Sequence, residues 1–175
     1  MNKKIKGFTS SNSVEWYSPE KYVNSVRTVF NGTITLDPAS SEKANSIIQA
    51  QFFYTKENSS LNISWNVAEN TKVFMNPPYG RGITDIFVNK MISEYKIGNI
   101  TEGIILVNNN TAQTWFQPLF SFPICFTNHR IKYINGETMK PDTKPPHGNA
   151  FVYLGKNIKK FAEEFRQWGN IVITM

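Results

Sequence analysis

The chain has 175 residues, of which 40% are hydrophobic and 18% charged, a composition typical of an ordinary globular protein. No apolar run approaches the roughly 18 residues that a membrane-spanning helix needs. The net charge of +6 favours an anionic partner such as nucleic acid, although a charge that only keeps the protein in solution fits equally well.

A single cysteine, Cys125, excludes an internal disulfide bond. It lies in an apolar run, which favours a buried thiol over a reactive one. The N-terminus carries Lys3, Lys4 and Lys6 but no apolar stretch of the kind found in secretory signals. These features together predict a cytoplasmic protein.

Helical and strand periodicities alternate along the chain. Residues 1–13 are polar and predict a flexible arm, followed by one domain over residues 14–175. We expect helices from Ser18 (as the capping residue), from Ser40 or Ser41, over 84–95, from Thr111 and near 157–168. We expect strands over 33–36, 51–54, 73–75, 103–107, 124–126, 130–134, 150–154 and 171–174.

Strands alternate with helices in the first two thirds of the chain and follow one another more directly near its end. This order predicts an α/β fold, with a mainly parallel sheet, helices on both faces and an antiparallel edge. Ligands of such sheets bind beyond the carboxyl ends of the strands. Asp37-Pro38 and Asn76-Pro77-Pro78-Tyr79 both follow predicted strands and are therefore the candidate site segments.

Asn76-Pro77-Pro78-Tyr79 has the chemistry needed to methylate an amino group on an aromatic ring. The lone pair of such a nitrogen is delocalised, and the Asn76 side-chain oxygen and the Pro77 carbonyl can accept its hydrogens and localise it. Pro77 and Pro78 keep the segment rigid, and the Tyr79 ring can stack on a flipped base. Since stacking needs only a ring, phenylalanine should replace Tyr79 at little cost. The alternative is a Pro-Pro turn in which Tyr79 only packs.

The chain contains several short motifs in a characteristic order. They are Glu15-Trp16-Tyr17-Ser18-Pro19, Leu36-Asp37-Pro38-Ala39-Ser40, Phe52-Phe53-Tyr54-Thr55, Asn76-Pro77-Pro78-Tyr79-Gly80-Arg81, Leu106-Val107-Asn108, Thr114-Trp115-Phe116, Arg130-Ile131-Lys132-Tyr133 and the segment from His147 to Gly155. In this order the chain resembles the DNA adenine-N6 methyltransferases of phages and prophages over nearly its whole length. The resemblance implies a Rossmann-like methyltransferase fold, S-adenosylmethionine as cofactor, double-stranded DNA as substrate and a bacterial host cell.

The resemblance also implies which residues hold the cofactor. Tyr17, Ser18 and Pro19 would meet its methionine end, where Ser18 at a helix N-terminus suits a carboxylate but could equally be a plain cap. Asp37 would bind the methionine ammonium, unless it only forms a turn, and Pro38 and Ala39 stand where methyltransferases usually have a glycine-rich turn. Glu57 is the candidate for the ribose hydroxyls, although a solvated loop charge is an equal interpretation.

The basic residues suggest a DNA-binding surface. We expect contacts from the candidate residues Arg81, Arg130, Lys132, Lys140 and Lys144, although a solvated strand face and a mobile hairpin over 135–148 explain most of them equally well. His129 and His147 lack metal-ligand spacing, and no metal is expected.

The sequence therefore predicts an enzyme that transfers a methyl group from S-adenosylmethionine to the N6 of adenine in DNA. Two alternatives stay open: methylation of a protein glutamine at N5, which uses the same motif, and a degenerate methyltransferase fold that binds DNA or protein without catalysis. The chain has no room for a separate target-recognition domain. Recognition is expected to come from short loops, a second copy of the chain or an accessory subunit.

Overall fold

The structure is a computed structural model that describes residues 15–80 and 82–174. The predicted arm over 1–13 and Arg81 lie outside the described residues. The strands are β1 (Trp16–Tyr17), β2 (Leu36–Asp37), β3 (Phe52–Phe53), β4 (Lys72–Met75), β5 (Glu102–Asn108), β6 (Ile124–Thr127), β7 (Ile134–Asn135), β8 (Asn149–Leu154) and β9 (Gly169–Val172). The α-helices are α1 (Glu20–Val29), α2 (Glu42–Ile48), α3 (Ile83–Lys96) and α4 (Ile158–Phe165).

Seven strands of the described chain form one mixed sheet in the order β3-β2-β4-β5-β8-β6-β9. The first four strands in this order are mutually parallel, β8 runs antiparallel to both β5 and β6, and β9 runs antiparallel to β6. The expected α/β architecture is therefore confirmed, but the sheet is mixed rather than mainly parallel, since three of its six strand pairings are antiparallel. Strands β1 and β7 pair separately as a two-stranded antiparallel sheet.

Alternation along the strands divides the core into two layers. On β4, Phe74 packs with α1, α2 and α4, whereas Val73 and Met75 pack on the opposite face with α3. Strands β5 and β8 supply buried residues to both layers, as the continuous apolar run over 103–107 predicts. None of the described helices is long and apolar enough to cross a bilayer.

The structure shows which residues occupy the N-terminal cap positions of α1 and α2. Ser41, rather than Ser40, caps α2, because its side chain accepts from the Ala44 amide at 3.2 Å. The prediction that Ser18 caps α1 is wrong: Pro19 occupies the cap position, and no side chain makes a capping bond there. The side chains of Ser18 and Ser40 therefore do not cap these helices.

Two predicted elements are replaced by irregular structure. The helix expected from Thr111 is wrong: the segment forms turns and a short 3-10 helix (Gln117–Ser121), since Pro118 lacks the amide that an α-helix needs. The strand expected over 130–134 is also wrong, and only its last residue belongs to β7. There the Ile131 amide donates to the Asn149 side chain at 3.0 Å instead of joining a strand ladder. Cys125 is buried, as expected.

Candidate active site

The connections of the sheet create a crevice at the carboxyl ends of β2 and β4. Strand β2 continues through α2 to β3 on one side, and β4 lies on the other side of β2. Such a reversal of strand order is a topological switch point, where open α/β sheets bind ligands. Asp37 ends β2 and Asn76 directly follows β4, so both candidate segments border this crevice.

Asn76 presents a free acceptor at this edge. Its Nδ2 donates to the Trp16 carbonyl at 3.3 Å, which fixes the orientation of the amide. Its Oδ1 is buried and has no hydrogen-bond partner among the described residues. A buried acceptor without a partner costs free energy, so the arrangement suits a ligand that brings its own N–H group.

The two prolines hold the segment after Asn76 in place. Pro77 is buried, whereas Pro78 is exposed, and neither has an amide hydrogen to compete for nearby acceptors. The Pro78 carbonyl accepts from the Thr84 hydroxyl at 3.0 Å, which ties the segment to the first turn of α3. The motif is thus anchored at both ends: by β4 before it and by α3 after it.

Tyr79 combines a desolvated hydroxyl with a partly accessible side chain. The residue is 43% exposed, yet burial of its hydroxyl raises the pKa of Tyr79, while the Tyr133 hydroxyl and the Asn108 backbone lower it. The accessible part of this aromatic residue offers a surface on which a base would stack.

Asp37 is a carboxyl group buried at the end of β2, with 1% of its surface exposed. Burial raises the pKa of Asp37 to about 6, opposed by the Ser40 side chain and by the Ala39 amide, which donates to Oδ1 at 3.2 Å. No ion pair to Asp37 is found within the described part of the chain. The Ser40 hydroxyl lies close enough to influence this pKa, but its Oγ reaches no partner in hydrogen-bonding geometry in residues 15–80 and 82–174.

Strand β1 brings Tyr17 and Ser18 to the same edge. The Tyr17 hydroxyl donates to Glu15 at 2.6 Å and accepts from Ser41 at 3.4 Å, which places it beside the turn after Asp37. The Ser18 side chain is 1% exposed, and its Oγ finds no hydrogen-bond partner in the described structure. Three buried polar atoms of this edge, on Ser18, Ser40 and Asn76, thus lack partners.

A cleft of about 460 Å³ opens between β1, the turn after β2 and the loop after β3, a volume suited to a small ligand. Its lining includes Tyr17, Ser40 and Glu57, so Glu57 shares a cleft with one other candidate residue, Tyr17. The Glu57 carboxylate is exposed and accepts from the Thr55 hydroxyl at 2.9 Å, which lowers the pKa of Glu57. Acidic residues outnumber basic ones in the lining, with Glu15, Glu42, Glu57 and Glu137 against Lys43 and Lys56.

The comparison with known families agrees with this geometry. The model of the DNA N-6-adenine-methyltransferase (Dam) family matches residues 8–168. The chain belongs to the Dam family. A search of curated proteins finds no match.

The candidate DNA-contacting residues of this Dam family member do not form one patch along a strand. Arg130 is exposed and donates to the Pro145 carbonyl at 3.3 Å, and Lys132 is exposed in the irregular segment before β7. Lys140 and Lys144 lie on the loop after β7, which is held by a bond from the Asn135 amide to the Lys140 carbonyl at 2.9 Å. The part of this loop near β7 is therefore ordered by backbone bonds.

Sequence reasoning missed four contributors to the site. Ser40 and Trp16 belong to segments that the sequence analysis singled out, but the influence of Ser40 on the Asp37 pKa and the bond from Asn76 to the Trp16 carbonyl are visible only in the fold. Asn149 and Tyr133 also lie in motifs that the sequence analysis singled out, but their contacts are visible only in the fold: Asn149 Nδ2 donates to Asn108 Oδ1 at 3.2 Å and to the Tyr133 hydroxyl at 3.1 Å, across 41 and 16 residues. Among the described residues, no cluster of three potential metal ligands is found.

Proposed function

We propose that this protein uses S-adenosylmethionine to methylate the N6 amino group of adenine in DNA. The observation that carries the proposal is the buried, unpartnered Oδ1 of Asn76, which the Trp16 carbonyl holds in place beside the exposed ring of Tyr79. The position of this pair at the switch point of an α/β sheet and the Dam family match support the same conclusion.

On the substrate side, Asn76 Oδ1 and the Pro77 carbonyl would accept the two hydrogens of the adenine amino group. This draws the nitrogen toward tetrahedral geometry and concentrates its lone pair for attack. An enzyme acting on a base inside duplex DNA must extrude it, and the Tyr79 ring offers the extruded base a stacking surface. Asn76 is a neutral acceptor and no strong base, so the surplus proton of the methylated nitrogen leaves to solvent.

The residues on the other side of the crevice fit S-adenosylmethionine. Asp37 is a buried carboxylate without a described cation and suits the ligand's ammonium, while the unpartnered Ser18 hydroxyl suits its carboxylate. Glu57 lies in the adjoining cleft, where a carboxylate can bind ribose hydroxyls. When bound, the cofactor supplies a methyl group made electrophilic by its sulfonium sulfur. The acidic surplus of the cleft favours such a cationic ligand.

The electrostatic character of the chain suits a polyanionic substrate. The net charge is +6, and Arg130, Lys132, Lys140 and Lys144 are exposed on segments that follow the carboxyl edge. Arg81, which directly follows the motif segment, is assigned to DNA on sequence grounds alone. Membership of the Dam family favours adenine as the substrate over protein glutamine, whose methylation at N5 uses the same motif.

The proposal is tested by incubating the protein with methyl-labelled S-adenosylmethionine and DNA free of N6-methyladenine, then digesting the DNA to nucleosides. Label in N6-methyldeoxyadenosine that is lost in Asn76→Ala is the expected result. A protein that binds the cofactor but labels no nucleoside would instead be a non-catalytic member of the fold. Label in glutamine of a protein substrate would support the other methyl-transfer reaction.

A further inference from the structure

Three asparagines lie side by side at the edge of the sheet where β4 and β5 end. Asn76 directly follows β4, Asn108 ends β5, and Asn149 begins the antiparallel strand β8. In the strand register Asn108 lies opposite Asn149, whereas Met75 lies opposite Ile105. Asn108 is therefore two residues further along β5 than the position level with Asn76. The spacing of strands, and of residues along them, places the backbones of Asn76 and Asn108 about 8 Å apart.

The three asparagines belong to the same face of the sheet. Side chains alternate along a strand, so a residue shares its face with the residues two positions away. Phe74 on β4, Leu106 on β5 and Phe151 on β8 are each two residues from one of the asparagines, and all three pack in the core layer of α1, α2 and α4. The bond from Asn76 to β1 agrees with this, since Tyr17 of β1 packs in that layer too. The asparagines therefore lie at the margin of this layer.

The side-chain amide of Asn108 has an engaged acceptor and a free donor. The Ile131 main-chain N–H can only donate, and it does so to Asn149 Oδ1 at 3.0 Å, so Asn149 Nδ2 is the atom that faces Asn108. This Nδ2 donates to Asn108 Oδ1 at 3.2 Å. Asn108 Nδ2 is consequently directed away from β8, toward the β4 side of β5, and it donates to no group of residues 15–80 and 82–174. Asn108 is only 9% exposed, so this donor suits a ligand acceptor.

We propose that Asn108 is a base-contacting residue: its Nδ2 donates to a ring nitrogen of the extruded adenine while Asn76 and Pro77 accept from the N6 amino group. This inference rests on the proposed function. The amino group of adenine lies between two ring nitrogens, N1 and N7, which are both acceptors. A base held through its amino hydrogens therefore presents an acceptor beside them. The acceptor of Asn76 and the donor of Asn108 match this pattern of adenine.

The alternative is that Asn108 only supports Asn149 and, through it, the irregular segment before β7. That role needs Asn108 Oδ1 alone, and an aspartate has the same acceptor. Asn108→Asp keeps the size of the side chain and the bond from Asn149 but loses the donor. A purely structural role therefore predicts that this variant still distinguishes adenine from analogues without a ring nitrogen, whereas a base contact predicts that it does not.

The test measures single-turnover methyl transfer, at saturating S-adenosylmethionine, to duplexes whose target base is adenine, 1-deazaadenine or 7-deazaadenine. Each analogue keeps the amino group and replaces one ring nitrogen with C–H, and the target base is located beforehand by sequencing methylated DNA. Wild-type protein should prefer adenine over one of the analogues. Asn108→Asp should reduce that preference by about three- to tenfold, the range for one neutral hydrogen bond. Each preference is a ratio within one protein preparation, so a change in the folded fraction cancels.

Asn110→Asp is the matched control. Asn110 is exposed two residues beyond Asn108, so its replacement adds the same negative charge without removing the Asn108 donor. It should change the rates on all three duplexes by the same factor and keep the wild-type preference. A preference that is unchanged in Asn108→Asp for both analogues, or that falls equally in Asn110→Asp, would overturn the base contact. A wild-type protein that methylates no DNA would instead count against the proposed function, and this inference would fail with it.

Discussion

Asn76 donates a hydrogen bond through Nδ2 to the main-chain carbonyl of Trp16, at 3.3 Å, across 60 residues of sequence. Because an amide has one donor end and one acceptor end, this bond directs Oδ1 away from Trp16, into a buried position where no described residue meets it. Strand β1 therefore sets the orientation of the motif amide, while β4 sets its position. The same strand leads into the Ser18 segment assigned to the cofactor, so one element contacts both halves of the site.

Asn76→Ala should reduce single-turnover methyl transfer by ~10²–10³-fold, the effect of removing one electrostatic group at a reacting centre. Stability should change little, since the lost bond to Trp16 is worth about 1 kcal/mol. Asn76→Asp is the matched control: it keeps an acceptor but loses the donor, and should retain an intermediate rate. Wild-type turnover in the alanine variant would remove Asn76 from the mechanism.

Asp37→Asn should weaken S-adenosylmethionine binding by about 1.5–3 kcal/mol, the contribution of a charge-assisted hydrogen bond, while DNA affinity stays nearly constant. Calorimetry over pH 5–8 makes the test specific. With a pKa of about 6, the wild-type carboxyl is increasingly protonated below pH 6, so its cofactor affinity should fall there. The asparagine variant should show a flat profile, and a parallel fall in both proteins would contradict the assignment.

The same carboxyl also affects the stability of the ligand-free protein. Its pKa is higher in the folded chain, at about 6, than the ordinary 3.8, so the folded state binds more protons between these values. Stability is therefore lost as pH rises from 4 to 6, by about 3 kcal/mol. Asp37→Asn should remove this slope in urea unfolding of the protein without cofactor, whereas an unchanged slope would assign it to other groups.

The parts of the fold that the sequence predicts are those with local signals. The apolar run over 103–107 predicts a strand buried on both faces, and β5 spans Glu102–Asn108. The helical spacing over 84–95 likewise predicts α3, which begins at Ile83 and ends at Lys96. The segment over 130–134 fails as a strand because a distant side chain, Asn149, takes the Ile131 amide that a ladder would use.

In the candidate site, too, the sequence reveals some of the residues but not the contacts that orient them. Asn76 and Asp37 can be found from sequence because each ends an apolar strand, and strand ends are where such sheets bind ligands. The contacts that orient them cannot, since Trp16 and Asn76 are 60 residues apart. Ser18 shows the ambiguity of a local pattern: a serine before Pro-Glu resembles a helix cap, yet the fold leaves its hydroxyl buried and without a described partner.

Tyr79→Ala should slow single-turnover methylation by the loss of about 1–3 kcal/mol of stacking, with a melting temperature near wild type because the residue is 43% exposed. Tyr79→Phe keeps the ring, so it should slow methylation little. A large drop in melting temperature for the alanine variant would show that Tyr79 packs rather than stacks, and equal losses in both variants would place its whole role in the hydroxyl.

Glu94 should stabilise the layer around α3 in a pH-dependent manner. Its carboxylate is 4% exposed and accepts from the Trp65 amide at 3.1 Å and from Asn99 Nδ2 at 2.7 Å, and it pairs with Lys90. Burial alone would raise the pKa of Glu94, but these three partners outweigh it and hold the pKa below the ordinary 4.5. The stabilisation is therefore present above pH 4.5 and is lost as pH falls through the lower folded value.

Glu94→Gln should accordingly lower the free energy of unfolding by about 2 kcal/mol at pH 7, and the difference from wild type should shrink below pH 4.5. Glu163→Gln is the matched control, since Glu163 also pairs with a lysine four residues away on a helix, Lys159, but both side chains are largely exposed. That pair should contribute no more than about 0.5 kcal/mol, because solvent screens it. Urea unfolding at several pH values measures both variants. A Glu94→Gln effect as small as the control, or one that grows toward low pH, would show that the buried carboxylate is not a net stabilising group.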